Sequence, residues 1–207
     1  MENYTIAESY TLPSKGQVYS KPVNPEVKLR AMTTEEEMKR LGHSERPLKM
    51  LTEIIDDCLI EKPGISAYDL CIGDYQFLLY KLRVVTYGPA YKVDTICPIC
   101  GKRNKQTIDL DKLNVIEYSD ELKKYSTIKL PRCGKEIKLR LQTPRILDDI
   151  KMQVKELQAK SSNIESEPAI LFTLSSVIET VDGEVLDAIK MDDFVRHLEM
   201  ADTNYIL

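Results

Sequence analysis

The sequence predicts an α+β fold: helical N-terminal and C-terminal parts around β-hairpins, with a zinc-ribbon-like central hairpin region. Three features carry this. Apolar residues recur at helical spacing in the first ninety residues and again after Thr143. Between Tyr91 and Leu141 the pattern changes to alternation, the mark of half-buried strands. A short unit of turn, strand and capped helix also occurs twice.

The first segment, "SYTLPSKGQVYS", alternates Tyr10 and Leu12, then Val18 and Tyr19, around a Pro-Ser-Lys-Gly turn, and "VKLRAM" reads as a second strand. "TTEEEMKRL" opens a helix. Thr34 and Glu37 have capping-box spacing, and Glu35, Glu36 and Glu37 lie where the helix dipole favours negative charge. A second helix covers "PLKMLTEIIDDCLI", with Leu48, Leu51, Ile55, Cys58 and Leu59 on one face, which makes Cys58 a core thiol. "EKPGIS" breaks it. A third helix begins near Ser66 or Asp69, carries the stripe Tyr75, Leu78, Leu79, Leu82 and Val85, and stops at Gly88-Pro89.

"AYKVDTICPICGKRNKQTIDL" then reads as a hairpin folded at its Cys-x-x-Cys turn, and "YSTIKLPRCGKEIKLRLQ" as another folded at Arg132 to Lys135. Thr143 caps a helix with Pro144 at its first position, running to about Gln158 along Ile146, Ile150 and Val154. "AKSSNIESEP" is a polar linker, "PAILFTLSSVIETV" an apolar helix or strand, and Asp182-Gly183 a turn. "MDDFVRHLEM" is a short terminal helix with Phe194, Val195 and Leu198 inward. These elements group as 1–90, 91–142 and 143–207, packed as one compact unit.

The repeat pairs "LPSKG" and "VKLRAMTTEEEMKRL" with "LPRCGKEIKLRLQTPRILDDIK". Val27-Lys28-Leu29-Arg30 matches Ile137-Lys138-Leu139-Arg140, and Thr33 matches Thr143. The two Lys-Leu-Arg segments are therefore expected in the same secondary structure.

Composition narrows the function. The chain has 207 residues, 43% of them hydrophobic and 30% charged, as in ordinary globular proteins. No apolar run reaches the roughly 18 residues of a membrane span, and "MENYTIAESY" has no signal-peptide pattern. The expectation is maturation in a cytoplasm, where the five cysteines act as core residues or metal ligands rather than disulfides. A net charge of −4 without a basic tract disfavours nucleic acid, and Lys102, Arg103 and Lys105 read as the solvated side of a hairpin. Only two histidines, His43 and His197, are present, and no nucleophile elbow, zincin motif or phosphate loop accompanies them. The pairs Asp56-Asp57, Asp148-Asp149 and Asp192-Asp193 diverge on helices and read as solvated surface. No catalytic set is expected.

The candidate metal ligands are Cys97, Cys100 and Cys133. Cys97 and Cys100 have the spacing by which one turn offers two sulfurs to a tetrahedral zinc ion. Laid under "CPICGK", "LPRCGK" adds Cys133 as a third thiolate, with Leu130 where a fourth would stand. The internal repeat instead equates Leu130-Pro131 with Leu12-Pro13, and then Cys133 is incidental. Both alignments stand at this level. The remaining signal is aromatic: eleven tyrosines and no tryptophan. Tyr4, Tyr10, Tyr19, Tyr87, Tyr91 and Tyr205 lie at termini or element ends, which suits a subunit-contact surface.

Taken together, "TLPSKG", "LRAMTTEEEMKRL", "LTEIIDDCL", "DLCIGDYQFLLYKLRVVTYGPAYK" and "CPICG" resemble the baseplate hub protein family of T-even-like contractile-tailed phages. "DFVRHLEMADTNYIL" is a weaker part of the likeness. The resemblance implies a structural protein of the tail baseplate hub, made in the host cytoplasm. It would work in several copies beside hub, spike and tape-measure subunits, with no catalytic residues to carry over. The alternatives are a transient assembly factor for the hub and a zinc-ribbon nucleic-acid-binding regulator.

Overall fold

The computed structural model describes residues 6–121, 126–160 and 168–207. Tyr4 and most of the "AKSSNIESEP" linker lie outside the described residues. The chain divides into two units, Met1–Glu45 with Met50–Tyr118, and Arg46–Lys49 with Ser119–Leu207. The segment 143–207 falls within the second unit, whereas 91–142 is divided between the two.

In the first unit, strand β1 (Ala7–Thr11) pairs antiparallel with β2 (Glu26–Arg30), and β2 pairs with β3 (Leu59–Glu61) in the order β1-β2-β3. The expected return strand at Val18-Tyr19 is a loop. The partner of Tyr10 is Val27, so the Leu12–Pro25 segment bridges the two strands instead. Helices α1 (Thr34–Leu41) and α2 (Pro47–Cys58) lie between β2 and β3 in the chain. The capping box is one residue earlier than the spacing of Thr34 and Glu37 suggested. Thr33 is the N-cap, and the Glu36 carboxylate accepts the Thr33 N–H at 2.7 Å.

The second helix ends at Cys58, and Leu59 enters β3 directly. Leu59 and Ile60 had looked helical because a strand adjoining a helix can continue its apolar run. Helix α3 (Ile72–Tyr87) begins later than expected, after a 3-10 turn at Ala67–Asp69, because Cys71 is extended. Gly88, at φ 83°, ends it. The core contains Leu12, Val27, Leu29, Ile54, Ile55, Cys58, Leu70 and Leu78.

The second unit repeats this plan. Strand β6 (Thr127–Lys129) pairs with β7 (Glu136–Leu139), and β7 with β8 (Ile178–Val181). Helix α4 (Pro144–Lys160) follows β7, and Thr143 Oγ1 accepts the N–H of Ile146 at 3.3 Å. The "PAILFTLSSVIETV" segment is both helix and strand: α5 (Ala169–Val177) runs straight into β8, as α2 runs into β3. Asp182, at φ 50°, and Gly183, at φ 82°, form the turn after it. The end of the chain makes two helices rather than one, α6 (Ala188–Arg196) and α7 (Met200–Ile206). The core is Leu130, Ile137, Leu174, Ile178, Val181, Met191 and Val195, with Leu139 and Leu198 packed on it.

Both Lys-Leu-Arg segments are thus central strands of three-stranded antiparallel sheets. Even the irregularity is repeated. Leu29 opposes Leu59 while Lys28 opposes Glu61, and Leu139 opposes Ile178 while Lys138 opposes Thr180. Ile60 and Glu179 are the unopposed bulge residues at the same place in each sheet. Between the two copies along the chain, and within the first unit, comes a separate two-stranded ribbon, β4 (Ala90–Ile96) with β5 (Arg103–Asp109).

Candidate functional site

The ribbon is built by alternation and closed by its turn. Its register runs unbroken from Ala90 opposite Asp109 to Ile96 opposite Arg103. Along both strands only Val93 and Asp109 are partly buried, so both faces meet solvent. At the tip, the Cys97 N–H donates to the Lys102 carbonyl and the Gly101 N–H to the Cys97 carbonyl, each at 2.9 Å. Gly101, at φ 67°, allows the turn. The backbone N–H groups of Cys100 and Ile99 and the Cys100 side chain bond to the Cys97 sulfur and hold its thiol below the usual range. Cys97 is half-buried and Cys100 exposed. Ile99 between them is 94% exposed, and Ile96 is exposed beside it.

Cys133 lies in the turn that joins β6 to β7. There the Leu130 N–H donates to the Lys135 carbonyl at 2.8 Å, and the Gly134 N–H to the Leu130 carbonyl at 3.1 Å. These are the two hydrogen bonds of the Cys-x-x-Cys turn, in the same register. The side chains differ. Leu130, at the position of Cys97, is 1% exposed and belongs to the core of the second unit. Burial and then the Asp202 carboxylate push the Cys133 thiol up, outweighing the Lys135 and Cys133 amides that pull it down. Among the described residues, no group of three or more His, Cys, Asp or Glu side chains gathers to hold a metal ion.

Each "LPxxG" turn is instead held by an aspartate absent from the sequence-level candidates. Asp74, fully buried, accepts the Ser14 N–H at 2.9 Å and its hydroxyl at 2.5 Å, and the Tyr19 hydroxyl at 2.6 Å. Asp202, equally buried, accepts the Arg132 N–H at 2.8 Å and the Cys133 N–H at 2.9 Å. Burial works to raise the Asp202 carboxyl, but the Cys133 and Arg132 amides outweigh it and leave it below the usual carboxylate range. Both aspartates are third residues of their helices, α3 and α7, where the dipole also favours negative charge. The signal was present: "LCIGD" and "LEMAD" share Leu and Asp at one spacing, which extends the repeat to the end of the chain.

Asp148 is a further correction to the solvated aspartate pairs. It is buried and accepts the Lys49 N–H at 2.8 Å, capping the start of α2, while Asp149 pairs with Arg46 at 2.6 Å. Of the marginal tyrosines, Tyr19 is structural: its hydroxyl also accepts the Cys71 N–H at 3.0 Å. Tyr10 packs edge-on against Phe77. Tyr87, Tyr91 and Tyr205 are exposed. Tyr87 and Tyr91 flank the Arg83 guanidinium, 5.7 and 4.8 Å from their ring centres. With Tyr80, Met50, Leu51 and Leu79 they line an open groove of about 930 Å³. His43 is exposed after α1, and His197 caps α6, its Nδ1 2.7 Å from the Asp193 carbonyl. No described helix is long and apolar enough to cross a membrane.

These features define a duplicated α+β protein whose buried polar groups lock turns and helix ends and whose exposed features are a ribbon and an aromatic groove. The chain belongs to the T4 bacteriophage base plate protein family, whose model matches residues 3–207. No curated protein and no solved structure matches it. It is a phage baseplate protein, and its partners are other structural proteins of the phage tail.

Proposed function

We propose that this baseplate protein is a structural subunit of the baseplate hub that binds neighbouring hub, spike or tape-measure proteins and has no catalytic role. The family match over nearly the whole chain carries the baseplate assignment. The hub reading rests on the sequence resemblance, most specifically "DLCIGDYQFLLYKLRVVTYGPAYK". The groove in the first unit supports a contact role. Tyr80, Tyr87 and Tyr91 offer rigid, amphipathic rings around an apolar floor, the composition of interface cores. Met38 and Leu41 add exposed apolar surface on α1.

Mass spectrometry of purified phage particles tests this reading. A structural subunit is expected in the particle at a fixed ratio to the other baseplate proteins. Its absence from particles that nevertheless require it for assembly would make it a transient assembly factor. Cross-linking within intact baseplates is expected to join it to spike or hub subunits, and links confined to the baseplate periphery would overturn the hub position.

A further inference from the structure

We propose that the Cys97–Cys100 turn is half of a zinc site and that a second copy of this chain supplies the other half. The inference is independent of the hub reading. Two thiolates on one turn, with backbone amides directed at the first sulfur, are the arrangement of a zinc knuckle. Structural zinc takes four protein ligands. No third His, Cys, Asp or Glu joins these two among the described residues. Leu130 takes the matching position in the Cys133 turn and is committed to the core.

Towards its tip the ribbon is exposed on both faces. A two-stranded hairpin with both faces in water is marginally stable by itself, and small units of this kind are commonly held by a metal or a partner. Beyond its own backbone ladder, the Arg103–Asp94 ion pair at 2.9 Å joins the strands near the tip, while Tyr91 at the far end lies against Arg83.

A second copy fits the tip better than an unrelated donor. It brings two identical sulfurs, so a two-fold axis through the metal completes a four-sulfur tetrahedron. The same apposition covers Ile96 and Ile99, which are otherwise exposed on each copy. Charge also balances. Zinc with four thiolates carries two negative charges, and Lys102 directly after each turn supplies one positive charge per copy, Arg103 being already paired with Asp94. Each thiol loses its proton to solvent as zinc binds, and no electron transfer is involved.

The test uses the full-length chain, reduced and stripped of metal, titrated with zinc alone while its mass is followed by light scattering. About half an equivalent of zinc per chain is expected, with the mass doubling in step and returning on chelation. Cys97→Ser and Cys100→Ser should each abolish both changes, with circular dichroism checking that the chain stays folded. Cys133→Ser should leave both intact. One equivalent bound without a mass change would overturn the shared site, as would loss of binding in Cys133→Ser, which would point to a three-thiolate site using Cys133. Binding below about a tenth of an equivalent would overturn it too.

Discussion

Asp74 and Asp202 solve one problem twice. Each "LPxxG" turn points backbone donors inward, and a buried donor without an acceptor costs on the order of 1–3 kcal/mol. A carboxylate at the start of a helix, itself stabilised by the helix dipole, meets this need. Asp202 accepts two backbone N–H groups, and Asp74 accepts one together with the Ser14 and Tyr19 hydroxyls. The glycines of these turns are matched in place but not in constraint. Gly16 and Gly134 both have φ 70°. A Cβ on Gly16 would stand 2.3 Å from the Val23 carbonyl oxygen, whereas one on Gly134 would meet nothing within 4 Å. Gly134→Ala should therefore cost only the left-handed backbone, about 1 kcal/mol. Gly16→Ala should cost clearly more, because backbone must shift to admit the methyl group. Urea unfolding of the two variants measures the difference, and equal losses would contradict it.

At the scale of elements, one ion pair ties three of them. Arg30 on β2 reaches Glu36 on α1 at 2.6 Å and the Asp57 carbonyl on α2 at 3.0 Å. The Arg30 hydrogen bond is the main reason the Glu36 carboxyl falls from 4.5 to about 2, helped by Thr33 against the cost of burial. A depressed carboxyl binds its proton less readily folded than unfolded. Its stabilisation is therefore complete above about pH 4.5 and disappears as pH falls through about 2. Melting temperature followed across that window should decline less steeply in Glu36→Gln than in the parent, from a lower starting value. Parallel profiles would show that Glu36 is not a source of the acid sensitivity.

For the whole molecule, the ribbon is an addition to a duplicated scaffold. It is inserted after α3, where the first copy of the repeat has ended, and its strands pair only with each other. Replacing residues 92–107 with a two-residue Asn-Gly turn should therefore leave both three-stranded sheets folded. The melting temperature should change by less than about 4 °C. The excised chain should lose zinc-dependent association altogether. Collapse of the fold on excision, seen by circular dichroism, would show that the ribbon supports the scaffold rather than decorating it.

The sequence by itself determined the fold class, the ribbon with its Cys-x-x-Cys tip, and the strand-and-helix repeat. These are local matters, governed by residue period, turn chemistry and caps within a few positions. It also carried the family likeness that the match over residues 3–207 supports at the level of the baseplate. Tertiary structure decided the rest. Asp74 lies sixty residues from Ser14 and Asp202 seventy from Arg132, so their roles depend on packing that no local pattern encodes. The same holds for Asp148, an apparent surface residue that caps a helix a hundred positions earlier. Cys97 and Leu130 occupy one position in one kind of turn. Only packing reveals that the leucine is fastened into a core while the cysteine remains at the surface.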